Sequence, residues 1–174
     1  DPLEEIIVGS VKGAMKPAYE PLLSSYYPDK SSRHYESIEY KIEEVNEAES
    51  QLDQLARILS ELNIVVKRPE PIDFSKSIQT PNFSSLSGNC CACPRDVLLV
   101  IGNRIIEASM AMRSRFFEYL CYRNLVKEYF QHGADWYVAP KPSMSERLYV
   151  QDFSVENKMF DADSHTALTN FEPC

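Results

Sequence analysis

The sequence predicts an α/β fold, and three features of the chain support this prediction. Apolar residues recur at three- and four-residue steps from about residue 36 to 62, which is typical of an amphipathic helix. A β-branched strand at residues 64–66 follows that helix directly. Between residues 97 and 139 the order strand, hairpin, strand, helix and strand makes a complete repeating α/β module.

The first half of the chain is predicted to hold a strand, a long loop and the amphipathic helix. Residues 5–9 read as a short buried strand that ends at a glycine. Residues 10–35 are rich in Pro, Ser and Tyr and predict a long surface loop of the kind that often covers a substrate. Pro69 is expected to end the strand at 64–66, because proline cannot donate to a sheet.

The second half supplies the repeating module. Residues 97–101 are apolar throughout, so we expect a strand that is buried on both faces. Gly102-Asn103 predicts a tight hairpin turn into a returning strand at 104–108. A second helix is expected at 116–130 and a last strand at 135–139. The positions of this helix that are predicted to be buried are Phe117, Leu120, Cys121, Leu125 and Tyr129.

Charge and composition exclude several classes of partner. The formal net charge is −8, which disfavours nucleic acid and anionic lipid as partners. No apolar run approaches the ~20 residues that a membrane span requires. The five cysteines are odd in number and irregularly spaced, which favours a reduced compartment and therefore the cytoplasm. Because the chain opens on Asp1 and not on Met, an upstream targeting segment is not visible and a mitochondrial location stays open.

The cysteines do not predict a metal centre. Cys90, Cys91 and Cys93 are clustered, but a closed zinc site needs four well-placed ligands and no second pair follows at a suitable spacing. The three histidines are scattered, and nothing brings one beside a cysteine as catalysis would require. We therefore expect no metal site, and buried or loop thiols instead.

Asp96 is the most informative charged residue. It stands at the start of the apolar strand, where a carboxylate is costly unless it is paired. One interpretation is a structural pair with Arg95 or Arg113, or a cap; the other is a grip on a cationic substrate, since a carboxylate matches a guanidinium. Arg113-Ser114-Arg115 could bind an anion but more often forms salt bridges. The loop tyrosines Tyr19, Tyr26 and Tyr27 either line a pocket or anchor the loop.

Six ordered stretches of the chain resemble the amidinotransferase family, which includes glycine, inosamine-phosphate and cyanobacterial toxin-pathway amidinotransferases. They keep the family's order and spacing over essentially the whole chain. The matching stretches are residues 1–9, Val66-Lys67-Arg68-Pro69, Cys93-Pro94-Arg95-Asp96-Val97-Leu98, Arg113-Ser114-Arg115-Phe116-Phe117-Glu118-Tyr119, Ala139-Pro140-Lys141-Pro142 and Asn170-Phe171-Glu172-Pro173-Cys174.

The resemblance implies a pentein, a propeller of ββαβ modules around a substrate channel, of which residues 1–174 would be the N-terminal part of a single domain. It also implies the reaction: a cysteine attacks the guanidinium carbon of L-arginine, ornithine leaves, and an acceptor amine takes the amidino group. A histidine serves as acid and base, carboxylates hold the guanidinium, and no cofactor is needed. The expected partners are therefore L-arginine and an acceptor amine, with a homo-oligomer left open.

Asp96 falls on the family's Pro-Arg-Asp carboxylate, which contacts the substrate guanidinium. The nucleophilic Cys, the His and the catalytic Asp are implied to lie beyond residue 174, and Cys174 matches a motif cysteine and not the nucleophile. We therefore expect the chain, an incomplete pentein with its first modules only, to be inactive alone. Two alternatives remain: a deiminase-like hydrolase, in which water replaces the amine, and a non-catalytic pentein that binds guanidino compounds or a partner.

Some positions depart from the family pattern and put the acceptor amine in doubt. Arg104 stands where relatives usually carry Glu, and Met112 where they commonly carry Trp or Arg. Residues 143–170 match the family sequences poorly, and the loop at 10–35 shares few residues with them. The Cys-rich lead into Pro94 and the stretch from Phe116 to Leu120 are most similar to the cyanobacterial toxin branch, which suggests guanidino natural-product or toxin biosynthesis.

Overall fold

A computed structural model describes residues 2–25 and 34–149 of the chain. Within these ranges the strands are β1 (Glu5–Ile7), β2 (Met15–Lys16), β3 (Ile38–Glu39), β4 (Val65–Lys67), β5 (Ile78–Gln79), β6 (Ser84–Ser85), β7 (Leu98–Ile101), β8 (Arg104–Glu107) and β9 (Asp135–Val138). The α-helices there are α1 (Ile42–Glu61), α2 (Pro94–Val97) and α3 (Arg123–Gln131). Short 3-10 turns span Pro21–Ser25, Arg113–Arg115, Glu118–Tyr122 and Glu146–Leu148.

The first unit is a parallel strand pair joined by a helix. β1 and β4 pair in parallel, with Glu5 opposite Val65 and Ile7 opposite Lys67. Parallel neighbours need a long crossover connection, and α1 is the main part of it here. The predicted strands at 5–9 and 64–66 are thus confirmed to within two residues.

The second unit has the order that the sequence predicts. β7 and β8 are antiparallel across a turn in which Gly102 has a φ of 57°, a value that favours glycine. β9 lies parallel to β8 on its other side, and α3 connects the two. Gly133, with a φ of 99°, ends the α3 segment as expected. The mixed helix and sheet content confirms the α/β class.

One face of this three-stranded sheet packs into the core and the other does not. Leu98 and Ile105 are buried with Val126 of α3 in one apolar cluster. On the opposite face, Leu99, Ile106 and Tyr137 are in register across the three strands, and Leu99 and Tyr137 are each 51% exposed. The prediction that residues 97–101 are buried on both faces was therefore wrong, because α3 covers a single face.

The long helix begins later than its periodicity predicts. β3 pairs antiparallel with β2, so the chain at residues 38–39 is extended and not helical. Lys41 is also extended, with φ −60° and ψ 141°, and its backbone N–H donates to the Glu44 carboxylate at 3.2 Å. This capping arrangement defines the start of α1 at Ile42. The predicted loop at 10–35 contains β2 and the 3-10 turn Pro21–Ser25, and its residues 26–33 lie outside the described part.

The predicted helix at 116–130 is divided into 3-10 turns and a shorter α-helix. Phe117 (φ −101°, ψ 10°) and Tyr122 (φ −104°, ψ −4°) lie outside ideal helical geometry, and α3 begins only after Tyr122. Leu120, predicted to be buried, is 41% exposed, whereas Val126 is 2% exposed and belongs to the core. The α-helix was therefore predicted to begin seven residues, about two turns, before α3 does.

No helix in the described ranges is long and apolar enough to cross a membrane.

Candidate functional site

Asp96 lies in the single turn of α2, immediately before β7. Pro94 occupies the first helical position, where its missing N–H costs nothing. The Asp96 backbone N–H donates to the Cys93 carbonyl oxygen at 3.1 Å and closes the turn. The Asp96 side chain is 32% exposed, so its carboxylate is held by the turn but remains open to a ligand.

Arg115 is the principal partner of Asp96. Its Nη1 atom lies 3.0 Å from Asp96 Oδ2. Arg115 is the last residue of the 3-10 turn Arg113–Arg115, and its side chain is only 13% exposed. The contact joins two of the family-like stretches, 93–98 and 113–119, which are far apart in sequence.

Glu118 holds Arg115 from the opposite side. Arg115 Nε is 2.5 Å from Glu118 Oε2, and Nη2 is 2.8 Å from Oε1, a fork-to-fork pair. The Glu118 side chain is 1% exposed. Burial raises the pKa of the Glu118 carboxyl, and the Arg115 charge opposes that rise. Burial alone would lower the pKa of Arg115, but the carboxylates of Glu118 and Asp96 together raise it.

Of the two structural pairs that were expected for Asp96, the one with Arg95 forms and the one with Arg113 does not. Arg95 lies 3.8 Å away at Nε, and its side chain is 94% exposed, so this contact is weak. Arg113 does not reach Asp96 but donates from Nε and Nη2 to the Met144 carbonyl at 2.9 and 2.7 Å. The pair with Arg113 was therefore wrong, since that guanidinium is buried against another segment.

The anion bound at Arg113-Ser114 is internal. The Glu20 carboxylate accepts the Arg113 backbone N–H, and Ser114 Oγ donates to Glu20 Oε1 at 2.5 Å. Arg113 Nη1 is also 2.7 Å from Glu146 Oε1. These contacts fasten the segment around residue 20 to the turn that precedes Arg115. Both arginines of the motif thus form salt bridges, as the more common interpretation predicts, but their side chains are largely buried and do not lie at the surface.

The cysteines show no metal-binding arrangement in the described part of the chain, where no three His, Cys, Asp or Glu side chains are grouped to hold an ion. Cys91 and Cys121 are buried, Cys90 is partly buried and Cys93 is exposed. Cys91 Sγ donates to the Ser10 carbonyl at 3.4 Å. Cys174, the motif at 170–174 and the tyrosines Tyr26 and Tyr27 lie outside the described residues. The Tyr19 and Tyr35 rings are in contact in a tilted arrangement, with ring centroids 5.9 Å apart.

One large cavity of the described residues does not contain the Asp96 side chain. It measures about 660 Å³ and is mostly apolar, between β1, β7 and α3. Pro94 and Arg95 line it, but Asp96 does not. The candidate site is therefore the ion-pair chain Asp96–Arg115–Glu118 at the edge of the second unit, and not this cavity.

Sequence reasoning assigned no role to Glu118 and left Arg115 among surface salt bridges. A signal was present, because an arginine and a glutamate three residues apart can pair on one face of a helical turn. That spacing did not show that Glu118 is buried or that Arg115 also reaches Asp96. Both facts depend on how the turn at 113–122 packs against α2.

The chain is similar to named amidinotransferases along its whole length, although no protein-family model matches it. The mitochondrial glycine amidinotransferase of Danio rerio is 42% identical over 183 residues, covering 100% of this chain and 43% of that protein. The L-arginine:L-lysine amidinotransferase of Pseudomonas savastanoi pv. phaseolicola is 40% identical over 176 residues, covering 99% and 48%. The chain therefore spans less than half the length of these relatives.

Two solved structures give the same result. SxtG, an amidinotransferase from Microseira wollei in the saxitoxin biosynthetic pathway, is 46% identical with a TM-score of 0.80, over 88% of this chain and 44% of that chain. The inosamine-phosphate amidinotransferase of Streptomyces griseus is 40% identical with a TM-score of 0.78, over 86% and 43%. The chain thus has the α/β fold of the corresponding part of these two amidinotransferases. By sequence and by structure, the chain is a homologue of the amidinotransferases, and the predicted family is confirmed.

Proposed function

We propose that the protein containing this chain transfers an amidino group from L-arginine to an acceptor amine. The observation that carries the proposal is the match of 86–100% of the chain, at 40–46% identity, to amidinotransferases whose names differ in the acceptor. In this proposal L-arginine is the shared amidino donor, and the acceptor amine differs between the enzymes. The Pseudomonas relative is named for L-arginine and L-lysine.

The proposed architecture is a pentein, with residues 1–174 as part of a single domain. The unit β7-β8-α3-β9 supports this, since it has the ββαβ order that such a propeller repeats. The uncovered sheet face at Leu99 and Tyr137 gives further support, because apolar strand residues favour a covering partner. Further modules of the complete protein would lie against it.

Asp96 is the proposed contact to the L-arginine guanidinium. Its carboxylate is one-third exposed, and among the described residues its Oδ1 has only the weak contact with Arg95. A guanidinium is a poor electrophile, so it must be anchored before a thiolate can attack its carbon. In the proposed reaction the carbon–sulfur bond forms, the bond to the ornithine nitrogen breaks, and that nitrogen takes a proton. The acceptor amine then displaces the thiolate.

The residues that make and break bonds are proposed to belong to the complete protein beyond residue 174. L-Arginine and an acceptor amine are the proposed substrates, and the cytoplasm is the proposed location. The vertebrate relatives are named mitochondrial, which makes the mitochondrion the alternative. Similarity to SxtG supports a role in guanidino natural-product or toxin biosynthesis, and the acceptor is to be identified by assay.

The direct test is a product assay on the complete protein. L-arginine is supplied with glycine, L-lysine or an inosamine phosphate, and ornithine and the amidinated amine are quantified together. We expect ornithine in an amount equal to the new guanidino product. Citrulline as the sole product would show a deiminase-like hydrolase, and binding of L-arginine without turnover would show a non-catalytic module; either result contradicts the proposal.

Asp96→Asn tests the assigned contact in the same assay. Loss of a charge-assisted hydrogen bond should raise the KM for L-arginine by about 10- to 100-fold with a small effect on unfolding. Asp135→Asn is the matched control, because Asp135 is 53% exposed and pairs with Arg104 at 3.7 Å outside the site. If Asp96→Asn collapses the thermal stability while the folded fraction uses L-arginine normally, Asp96 is structural.

A further inference from the structure

We propose that Glu118 is a positioning residue for substrate binding: by holding and neutralising Arg115, it leaves the Asp96 carboxylate oriented and negatively charged toward the substrate guanidinium. This inference rests on the proposed function, since it takes Asp96 as the contact to L-arginine. It assigns a function to a buried carboxylate that the proposed reaction does not otherwise use.

The geometry of Arg115 makes it a rigid link between the two acids. A guanidinium is planar, and its donors point in fixed directions. Glu118 takes two of the three nitrogens, Nε and Nη2, and Asp96 Oδ2 takes the third, Nη1. With two bonds to Glu118, the Arg115 plane cannot rotate, and the direction of its bond to Asp96 is set. Asp96 is thereby held by one oxygen, and the other oxygen stays available.

The charges of the chain explain why a second acid is needed. Arg115 alone would neutralise Asp96, and a neutral pair attracts a guanidinium only weakly. Glu118 cancels the positive charge of Arg115, so the three groups retain one net negative charge. Because Glu118 is 1% exposed and Arg115 13% exposed, water screens their interaction little.

Exposure determines which of the three groups meets the substrate. The side-chain exposure rises from 1% at Glu118 to 13% at Arg115 and 32% at Asp96. Only the last of these can accept a ligand without displacing the others. Glu118 therefore acts through Arg115 and does not touch the substrate.

The test compares variants of the complete protein by KM and kcat for L-arginine. Glu118→Gln leaves the Arg115 charge unbalanced against Asp96, so we expect the KM to rise at least about tenfold with kcat little changed. In Arg115→Gln/Glu118→Gln the surplus positive charge is gone but the Arg115 bond that orients Asp96 is lost as well, so the KM should fall below that of Glu118→Gln while staying above the unaltered value. A purely structural ion pair makes the opposite prediction, since the double variant then binds no better than the single one.

Glu146→Gln is the matched control, because Glu146 pairs with the neighbouring Arg113 at 2.7 Å and is 65% exposed. Its KM should not change. If Glu118→Gln does not yield folded protein, Arg115→Lys replaces it: the charge remains but lysine cannot bond both acids in the same geometry, so the KM should rise. A normal KM in Arg115→Lys, or no recovery in the double variant, overturns the inference.

Failure of this inference is distinguishable from failure of the proposed function. If the unaltered protein neither releases ornithine nor binds L-arginine, the proposed function is wrong. If it is active and Asp96→Asn raises the KM while Glu118→Gln does not, the proposed function stands and the positioning role of Glu118 is wrong.

Discussion

Gly9 lies against the backbone of Ala92, and a Cβ atom at Gly9 would be 2.0 Å from the Ala92 carbonyl oxygen. Next to this contact, the Ser10 backbone N–H donates to the Cys91 carbonyl oxygen at 3.0 Å. The glycine thus lets the segment that leads into Asp96 approach the end of β1. The position of the candidate site therefore depends on residue 9 being a glycine, which has no Cβ atom.

Gly9→Ala should destabilise the complete protein by about 2–3 kcal/mol, because the new methyl group would displace backbone and not a flexible side chain. Gly102→Ala is the control: a Cβ there meets nothing within 4 Å, and the positive φ alone should cost about 1 kcal/mol. Chemical denaturation measures both. An equal loss in the two variants would show that the Ala92 contact is relaxed.

The Glu49 carboxylate on α1 bonds to the segments that follow β1 and β4. It accepts the Val11 backbone N–H at 2.8 Å and pairs with Arg68 Nη2 at 2.6 Å. Glu49→Ala should cost about 3 kcal/mol, because it leaves the Val11 backbone N–H without its acceptor and the part-buried Arg68 guanidinium with the exposed Asp53 in place of a buried partner. The free energy of unfolding measures this loss.

Asp53→Ala is the control for Glu49, one helical turn further along α1. Asp53 pairs with the same guanidinium at 2.6 Å, but its side chain is 62% exposed. An exposed ion pair contributes little, so we expect a loss below about 1 kcal/mol. Similar losses for Asp53 and Glu49 would mean that burial of Glu49 does not determine its contribution.

Glu20 should give a pH-dependent contribution to stability. Burial raises the pKa of its carboxyl above the ordinary 4.5, although hydrogen bonds from Ser114 and Arg113 oppose the rise. The folded protein therefore binds this proton more tightly than the unfolded chain. The resulting stability is complete below pH 4.5 and is lost as the pH rises through the folded pKa.

Glu20→Gln removes that titration. We expect the variant to become more stable relative to the unaltered protein as the pH rises across this window, and the difference to level off above it. Asp73→Asn should show the opposite sign, because the Ser75 hydroxyl lowers the pKa of Asp73 and its contribution is lost as the pH falls. Thermal midpoints measured over the pH range decide this. A pH-independent difference for Glu20→Gln contradicts the prediction.

The uncovered sheet face should make the 174-residue chain self-associate when it is expressed alone. Leu99 and Tyr137 expose apolar surface in one row across β7 to β9. Leu99→Glu should reduce the association, which light scattering and size-exclusion chromatography measure. Leu86→Glu is the control, since Leu86 is 57% exposed but lies outside this sheet. A monomeric, cooperatively unfolding chain would contradict the prediction.

The order of elements in the second unit was predictable because its signals are local. A tight Gly-Asn turn between two apolar runs indicates a hairpin without reference to the rest of the chain. The starts of the two helices were not predictable, since they depend on partners far away in sequence. β2 holds residues 38–39 extended, and the turns at 113–122 pack against Glu20 and α2.

By itself, the sequence determined the α/β class, the family to which the chain is homologous and Asp96 as the residue of interest. Each of these rests on the type and spacing of neighbouring residues. Only the tertiary structure decided that Arg115 and Glu118 join Asp96 in the candidate site, and that the described residues leave one face of the sheet uncovered. Burial and ion pairing join residues that are distant in the chain, and no local pattern specifies which of several charges will meet when the elements pack.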